Sequence, residues 1–397
     1  MAKNKKETNQ ITKTDWVSNF NLVGTAKVSD YTFKIDEKSE KSDWIYNSFN
    51  LGVDCGEKFG TVYCEMMGGY ADERENVIYA HGKDDDGKDD FENKIVVNWE
   101  DRFDEEIIES CGSLCFITVG LETTAKTNKT FCKKFLSAYD AIAYIQEHLE
   151  DGMVVNVKGN LNYSDYKGTT QVRKNITSIV LSKAEPEKFR ATFTQSVLLD
   201  KASANLKNID KDRGIMYVDA RVLDYVKEIN GVEIKGQYPY PKQFEYAFPD
   251  LTNQEQVKKI MNKLFKVKKD VSQATFEGQF VEGGAVVQAT LDDIPQDIKD
   301  LIDMGIYTEE EALARCSSSG NREQHMILTK PFIKKVGDDK IPVLQIFANK
   351  YTEDDLYFDI PDAEDNAEEN DNAKEDIDNE DDTETDSSSS MDWLNNL

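Results

Sequence analysis

The chain has 397 residues, with 76 Asp or Glu against 48 Lys or Arg and a formal net charge of −28. That length has room for two or three domains, and the charge balance excludes a uniformly basic nucleic-acid binder, so any such role must rest on local patches. No apolar stretch of about eighteen residues occurs, so no membrane-spanning helix is expected, and the basic start Met1-Ala2-Lys3-Asn4-Lys5-Lys6 has no apolar run behind it to make a secretory signal.

Residues 1–14 read as a flexible arm. From Trp16 to about Lys183 the pattern is mostly strand. Phe20, Leu22, Gly24, Ala26 and Val28 share one face of a period-two segment. Gly24 inside it predicts a bulge or sharp bend, as a sheet needs where it curls into a barrel. Further strands are expected over Trp44–Val53, Phe59–Met67, Lys94–Trp99 and Ser113–Leu121, and the apolar stripe of Phe135–Leu149 predicts a helix. Met153–Tyr163 and Thr169–Leu181 then form a hairpin, with Val155, Val157, Gly159, Leu161 and Tyr163 on one face. The alternation slips between Ile176 and Ile179, which predicts a bulge.

Pro186 marks a boundary, after which Phe189, Ala191, Phe193, Gln195, Val197 and Leu199 alternate as the first strand does. Tyr217–Tyr225 reads as a strand, Gly231 as a turn and Gln256–Val267 as a helix. Ala274–Phe280 carries a strand-centred Gly278, as Val157–Leu161 carries Gly159. Asp297–Cys316 reads as two short helices broken at Gly305, and Met326–Tyr357 as a hairpin turning at Gly337-Asp338-Asp339. The expected fold is mainly β with minor α: two OB-like β-barrel units at 15–185 and 186–358, the second with a helical insertion at 297–316.

Residues 359–397 form an acidic tail. Pro361 to Leu397 hold fifteen Asp or Glu and one Lys, so −14 lies in this stretch and −14 remains on residues 1–360. So charged a segment buries too little apolar surface to offset its ordering entropy, and is expected to be disordered. Its tip differs: Met391, Trp393, Leu394 and Leu397 suit a partner-docking peptide. Service to solubility alone is the other reading of such a tail.

A helix between the third and fourth strands of a curled five-stranded sheet, with Gly in the first strand, is an OB-fold arrangement. Such barrels hold single strands with cations and aromatic platforms. The candidate aromatic residues are Trp44, Tyr46, Phe49, Tyr63, Trp99 and Tyr166, and the candidate cations Lys158, Lys167, Arg173 and Lys174. Tyr163, on the face of Val155, Val157 and Leu161, reads as core. Two further basic runs, Lys126/Lys129/Lys133/Lys134 and Lys258/Lys259/Lys263/Lys266/Lys268/Lys269, fit either phosphate contacts or a solvated face.

The stretch Gly152–Gly168, with Ile176-Thr177-Ser178-Ile179 after it, resembles the late hairpin of OB-fold single-stranded DNA-binding proteins. With the acidic tail, the chain resembles those of bacteriophages. The resemblance implies a protein that coats single-stranded DNA in phage replication and recombination, in the cytoplasm of an infected bacterium. It also implies a tail that recruits replication or recombination proteins and competes with DNA for the groove. The tip departs from the family's usual terminal Phe or Pro-Phe, ending instead Trp393-Leu394-Asn395-Asn396-Leu397.

No enzyme is expected. His81, His148 and His325 sit in no motif, Cys111-Gly112-Ser113-Leu114-Cys115 has the wrong spacing for a zinc knuckle, and no phosphate-cradling Gly-rich loop occurs. No cofactor or metal is expected, and the six scattered cysteines read as reduced cytosolic thiols. The alternative is a protein-interaction or virion-structural scaffold that uses the same barrels without nucleic acid, which the acidic body favours.

Overall fold

A computed structural model describes residues 16–124, 129–166, 168–210, 214–229, 232–283, 323–336 and 340–356. The expected arm, the turn at Gly231, the insertion at 297–316, the turn at 337–339 and the tail lie outside these residues. The strands in chain order are β1 (Ser18–Lys27), β2 (Phe33–Lys38), β3 (Trp44–Asp54), β4 (Thr61–Ala71), β5 (Val77–Lys83), β6 (Asp89–Asn98), β7 (Ile117–Thr123), β8 (Thr130–Phe135), β9 (Val154–Tyr166) and β10 (Thr169–Leu181). They continue with β11 (Arg190–Leu199), β12 (Ala204–Asp210), β13 (Ile215–Ile229), β14 (Val232–Ala247), β15 (Val271–Gly283), β16 (Glu323–Pro331), β17 (Ile333–Val336), β18 (Ile341–Leu344) and β19 (Ile346–Tyr351). The helices are α1 (Glu105–Ser110), α2 (Ala138–His148) and α3 (Gln254–Ile260), the last continued by one π-helical turn over Met261–Phe265. Among the described residues no helix is long and apolar enough to cross a membrane.

The protein is mainly β, and its first five-stranded ring is closed. β1 pairs antiparallel with β3 and β9, β3 with β4, and β9 with β10. A parallel bridge between Asn175 of β10 and Glu65 of β4 shuts the ring. With α2 between the third and fourth ring strands, this is the OB order. Ser137 caps α2 by accepting from the Tyr139 amide at 3.1 Å, and the helix buries Ala141, Ile142, Tyr144 and Ile145 in the core. The hairpin's expected slip is present, between Ile176 and Ser178.

The same order recurs downstream. β11 pairs with β13 and β15, β13 with β14, β15 with β16, and β14 runs parallel to β16 through Glu245–Ile327 and Tyr246–Leu328. α3 takes the place of α2. Even a polar detail repeats. Glu65 sits at the first parallel bridge with Arg173, two residues before Asn175, in ion-pair range at 3.8 Å. Glu245 sits at the second with His325, two residues before Ile327, at 2.7 Å.

The two rings share one sheet. β1 pairs antiparallel with β11 from Ser18–Gln195 to Val23–Arg190, then passes that edge to β3 from Thr25 onward. Gly24 stands at the handover. Of the bulge or sharp bend expected there, no bulge forms, since pairing with β9 runs through Gly24 without a break. What requires glycine is close approach: a Cβ there would lie 2.2 Å from the Asp54 carbonyl oxygen. In mid-ladder Phe20 opposes Phe193. Each phenylalanine also opposes a glycine of its own ring, Phe20–Gly159 and Phe193–Gly278. A Cβ on Gly278 would come within 2.1 Å of the Phe193 ring, and one on Gly159 within 2.7 Å of Phe20. The glycines noted in the sequence therefore make room for the aromatic pair at the centre of the sheet.

Side chains reinforce the ladder. Tyr163 is buried and its hydroxyl donates to Gln195 Oε1 at 2.9 Å. Asp224 of β13, also buried, accepts from the Tyr163 amide at 2.7 Å, Asn162 Nδ2 at 3.2 Å and the Tyr225 amide at 2.8 Å. Lys174 of β10 turns its ammonium onto the Phe280 ring of β15, 5.1 Å from the centroid, and burial pushes its pKa from 10.5 down to about 8. The described residues within 16–226 and 236–356 form one compact unit, and those within 227–235 fall in a second, where Lys235 pairs with Glu233.

Two tests follow from this packing. Gly278→Ala forces the Phe193 ring to move and is expected to cost about 1–3 kcal/mol in urea unfolding. For Lys174, the unfolded chain keeps the proton up to about pH 10.5 while the folded protein releases it near pH 8. The unfolded state thus binds more protons between these values, and stability rises with pH across pH 8–10. Lys174→Met is expected to flatten that rise and to raise the melting temperature at pH 7.

Candidate nucleic-acid interface

Alternation along β3 sorts its large side chains, although Ser48 of the outward set is itself buried. Ile45, Asn47, Phe49, Leu51 and Val53 point inward and are buried, while Trp44 and Tyr46 take the opposite parity and are half-buried. β4 answers with Val62, Cys64 and Met66 inside and Tyr63, Glu65 and Met67 outside. The register sets Tyr46 opposite Gly69, Ser48 opposite Met67 and Gly52 opposite Tyr63. The result is an outward strip of Trp44, Tyr46, Met67 and Tyr63. Its last two members are 59% and 56% exposed, which makes them free to meet a ligand. Gly69 gives the Trp44 indole its seat, since a Cβ there would come within 2.3 Å of Trp44 Nε1. That indole N–H is buried without a hydrogen-bond partner among the described residues.

Cations edge the strip in ion pairs. Lys27 reaches Asp54 at 3.4 Å beside Tyr63, and Arg173 reaches Glu65 at 3.8 Å between Tyr63 and Met67. Tyr166, 48% exposed, stands near the end of the β9–β10 hairpin. Lys167 lies outside the described residues, as do Met391, Trp393, Leu394 and Leu397.

Four expected members do not join. Phe49 is fully buried and stacks on Phe33 at 4.9 Å and 13°, so it has no face to offer a base. Lys174 shares the inward parity of its partner Leu161 and is spent between the rings. Trp99 packs against Tyr70 and Tyr139 at 5.3 and 6.0 Å, with the Arg102 guanidinium 4.1 Å over its ring. Asp140 holds that guanidinium through two hydrogen bonds of 2.8 and 3.2 Å. Tyr70 has the parity of Met66, so this cluster lies on the α2 side of the sheet and not on the strip. Lys158 is exposed on the outer face of β9, where it lines a concavity of about 420 Å³ with Asn19, Asn21, Asn160, Thr192 and Thr194. That concavity crosses β9, β1 and β11, away from β3 and β4.

Some members escaped the sequence reading. Met67 and Lys27 belong to the strip, and Met67 was readable from its parity with Tyr63. In the second ring β13 corresponds to β3, and its outward positions carry Tyr217, Arg221 and Tyr225, the last 57% exposed. Lys258, Lys259, Lys263, Lys266, Lys268 and Lys269 are all exposed around α3. Among the described residues no three His, Cys, Asp or Glu converge as metal ligands.

Two solved structures, a deletion mutant and the wild type of the single-stranded DNA-binding protein from Thermus aquaticus, are similar to the chain. They show 11% and 10% identity, each covering 68% of this chain, with 88% and 86% of the other chain covered and a TM-score of 0.28 in both cases. No curated protein matches the chain. A family model described as YorF matches residues 80–283, just over half of the 397, a span that runs from the β5–β6 hairpin to the end of β15. The chain therefore belongs to the YorF family.

Proposed function

We propose that the protein binds single-stranded DNA along the outward strip of β3 and β4, coats it during phage replication and recombination in the infected cell, and recruits replication or recombination proteins through residues 361–397. The observation that carries this reading is the strip itself: Trp44, Tyr46, Tyr63 and Met67 in one row on a closed OB ring, edged by Lys27 and Arg173. Every base has a π-face, so a row of rings holds a strand without reading its sequence. The cations exchange a carboxylate for a phosphate when DNA arrives, which suits a chain of net negative charge. The units 15–185 and 186–358 act as two modules of one design, with Tyr217, Arg221 and Tyr225 forming the second platform. The acidic tail competes with DNA for the cations and is freed when DNA binds, leaving Met391, Trp393, Leu394 and Leu397 to dock on a partner.

Anisotropy titrations with a fluorescent oligonucleotide test this. Binding is expected to weaken steeply with salt, to prefer single strands over duplex and to tighten when residues 361–397 are removed. Tyr63→Ala and Tyr166→Ala are each expected to cost about 1–3 kcal/mol in affinity. Absence of binding at low salt by both the full and the shortened chain would overturn the proposal and leave the scaffold reading.

A further inference from the structure

We propose that Cys115, His81 and Asp89 form an activated-thiol site, separate from the DNA strip, whose substrate class is the hydroperoxides. The three residues meet where the short 3-10 turn Ser113–Cys115 folds onto the β5–β6 hairpin. The Gly112 amide fixes the turn there by donating to the His81 carbonyl at 2.7 Å. Asp89 lies 2.8 Å from His81 Nε2, and also accepts from the Ser113 hydroxyl at 2.7 Å and the Leu114 amide at 2.8 Å. The Leu114 amide and the Ser113 hydroxyl, with His81 adding to them, hold the Asp89 carboxyl down at about 2, so it is an anion across the physiological range.

With Asp89 on the Nε2 side, the tautomer that carries its proton on Nε2 donates to this carboxylate and presents a lone pair at Nδ1. Nδ1 faces Cys115 Sγ at 3.3 Å. The backbone N–H of His81 donates to the same sulfur at 3.3 Å, and the His81 carbonyl, 3.4 Å away, is a second acceptor for the thiol proton beside Nδ1. Nucleophile, base and orienting carboxylate thus stand in the order a thiolate needs. The other described cysteines lack this setting. Cys55, Cys64 and Cys111 are buried, with their thiols pushed up by desolvation, and Cys132 is exposed on β8.

The choice of substrate follows from access. Cys115 is half-buried beside Val97, Cys111 and Phe116, and the ring of Phe91 lies 4.4 Å from that of His81. A small oxidant reaches such a sulfur more readily than a protein disulfide does. In the reaction the thiol proton passes to Nδ1 and the sulfur attacks the terminal peroxide oxygen. An S–O bond forms, the O–O bond breaks, and sulfur is oxidised by two electrons while the peroxide is reduced. The leaving oxygen takes the proton back from Nδ1 as water or an alcohol, and the product is a sulfenic acid.

The test treats the full chain with hydrogen peroxide at pH 7, traps sulfenic acid with dimedone and reads each cysteine peptide by mass spectrometry. Cys115 is expected to be trapped on the order of tenfold faster than Cys132, although Cys132 is the more exposed. Asp89→Asn and His81→Asn are each expected to bring Cys115 down to the Cys132 rate while leaving Cys132 unchanged. Ser113→Ala, which removes one donor to Asp89 and spares the ring, is expected to fall between. Equal rates for Cys115 and Cys132 in the unaltered chain overturn the site, as does a Cys115 rate untouched by all three substitutions.

Discussion

The antiparallel ladder between β1 and β11 is the contact on which both rings depend. Each is the first strand of its ring, and each would otherwise present a long row of unpaired amides and carbonyls at an edge. Their pairing removes both edges at once and makes the rings one sheet. Phe20 and Phe193 meet at its centre, each against a glycine of its own ring, so shape complementarity fixes the register that hydrogen bonding alone leaves free to slip.

That junction decides how charge and aromatic surface are distributed. Tyr163, Lys174 and Phe280 are spent between the rings, which leaves β3 and β4 to carry the platform of the first ring on the face turned outward. The cations retained there each hold a carboxylate. At the edge of the strip, Lys27 and Arg173 are thus neutralised locally by Asp54 and Glu65. The aromatic strip and the thiol cluster occupy different elements: the first is built on β3 and β4, the second on the β5–β6 hairpin and the turn after α1.

Much of the fold was legible in the sequence, because period-two alternation and strand-centred glycines are local signals. The hairpin of β9 and β10, its slip after Ile176 and the kinship of Gly159 with Gly278 could all be read directly. Parity along β3 sets Phe49 with Ile45 and Asn47 and opposite Trp44 and Tyr46, a distinction that grouping all three rings at the interface passes over. Lys174 shares the inward face of β10 with Val172 and Ile176, where its charge gives no local sign that it packs on Phe280. Trp99 lies off the strip because Tyr70 and Tyr139, from β4 and α2, gather it with Arg102 on the α2 side, which no local spacing announces. Short strands such as β2 and β12 carry too few alternating positions to announce themselves, and the meeting of His81, Asp89 and Cys115 is a tertiary event with no spacing signature.

Asp224 carries a mechanical consequence. Its carboxylate belongs to the second ring, yet two of its three donors, the Tyr163 amide and the Asn162 side chain, belong to the hairpin of the first. If that hairpin moves, the Asp224 side chain must either travel with it or lose two of its three donors. The hairpin of one ring and the β13 strand of the other are therefore tied through a single carboxylate, and displacing either one costs hydrogen bonds of the other.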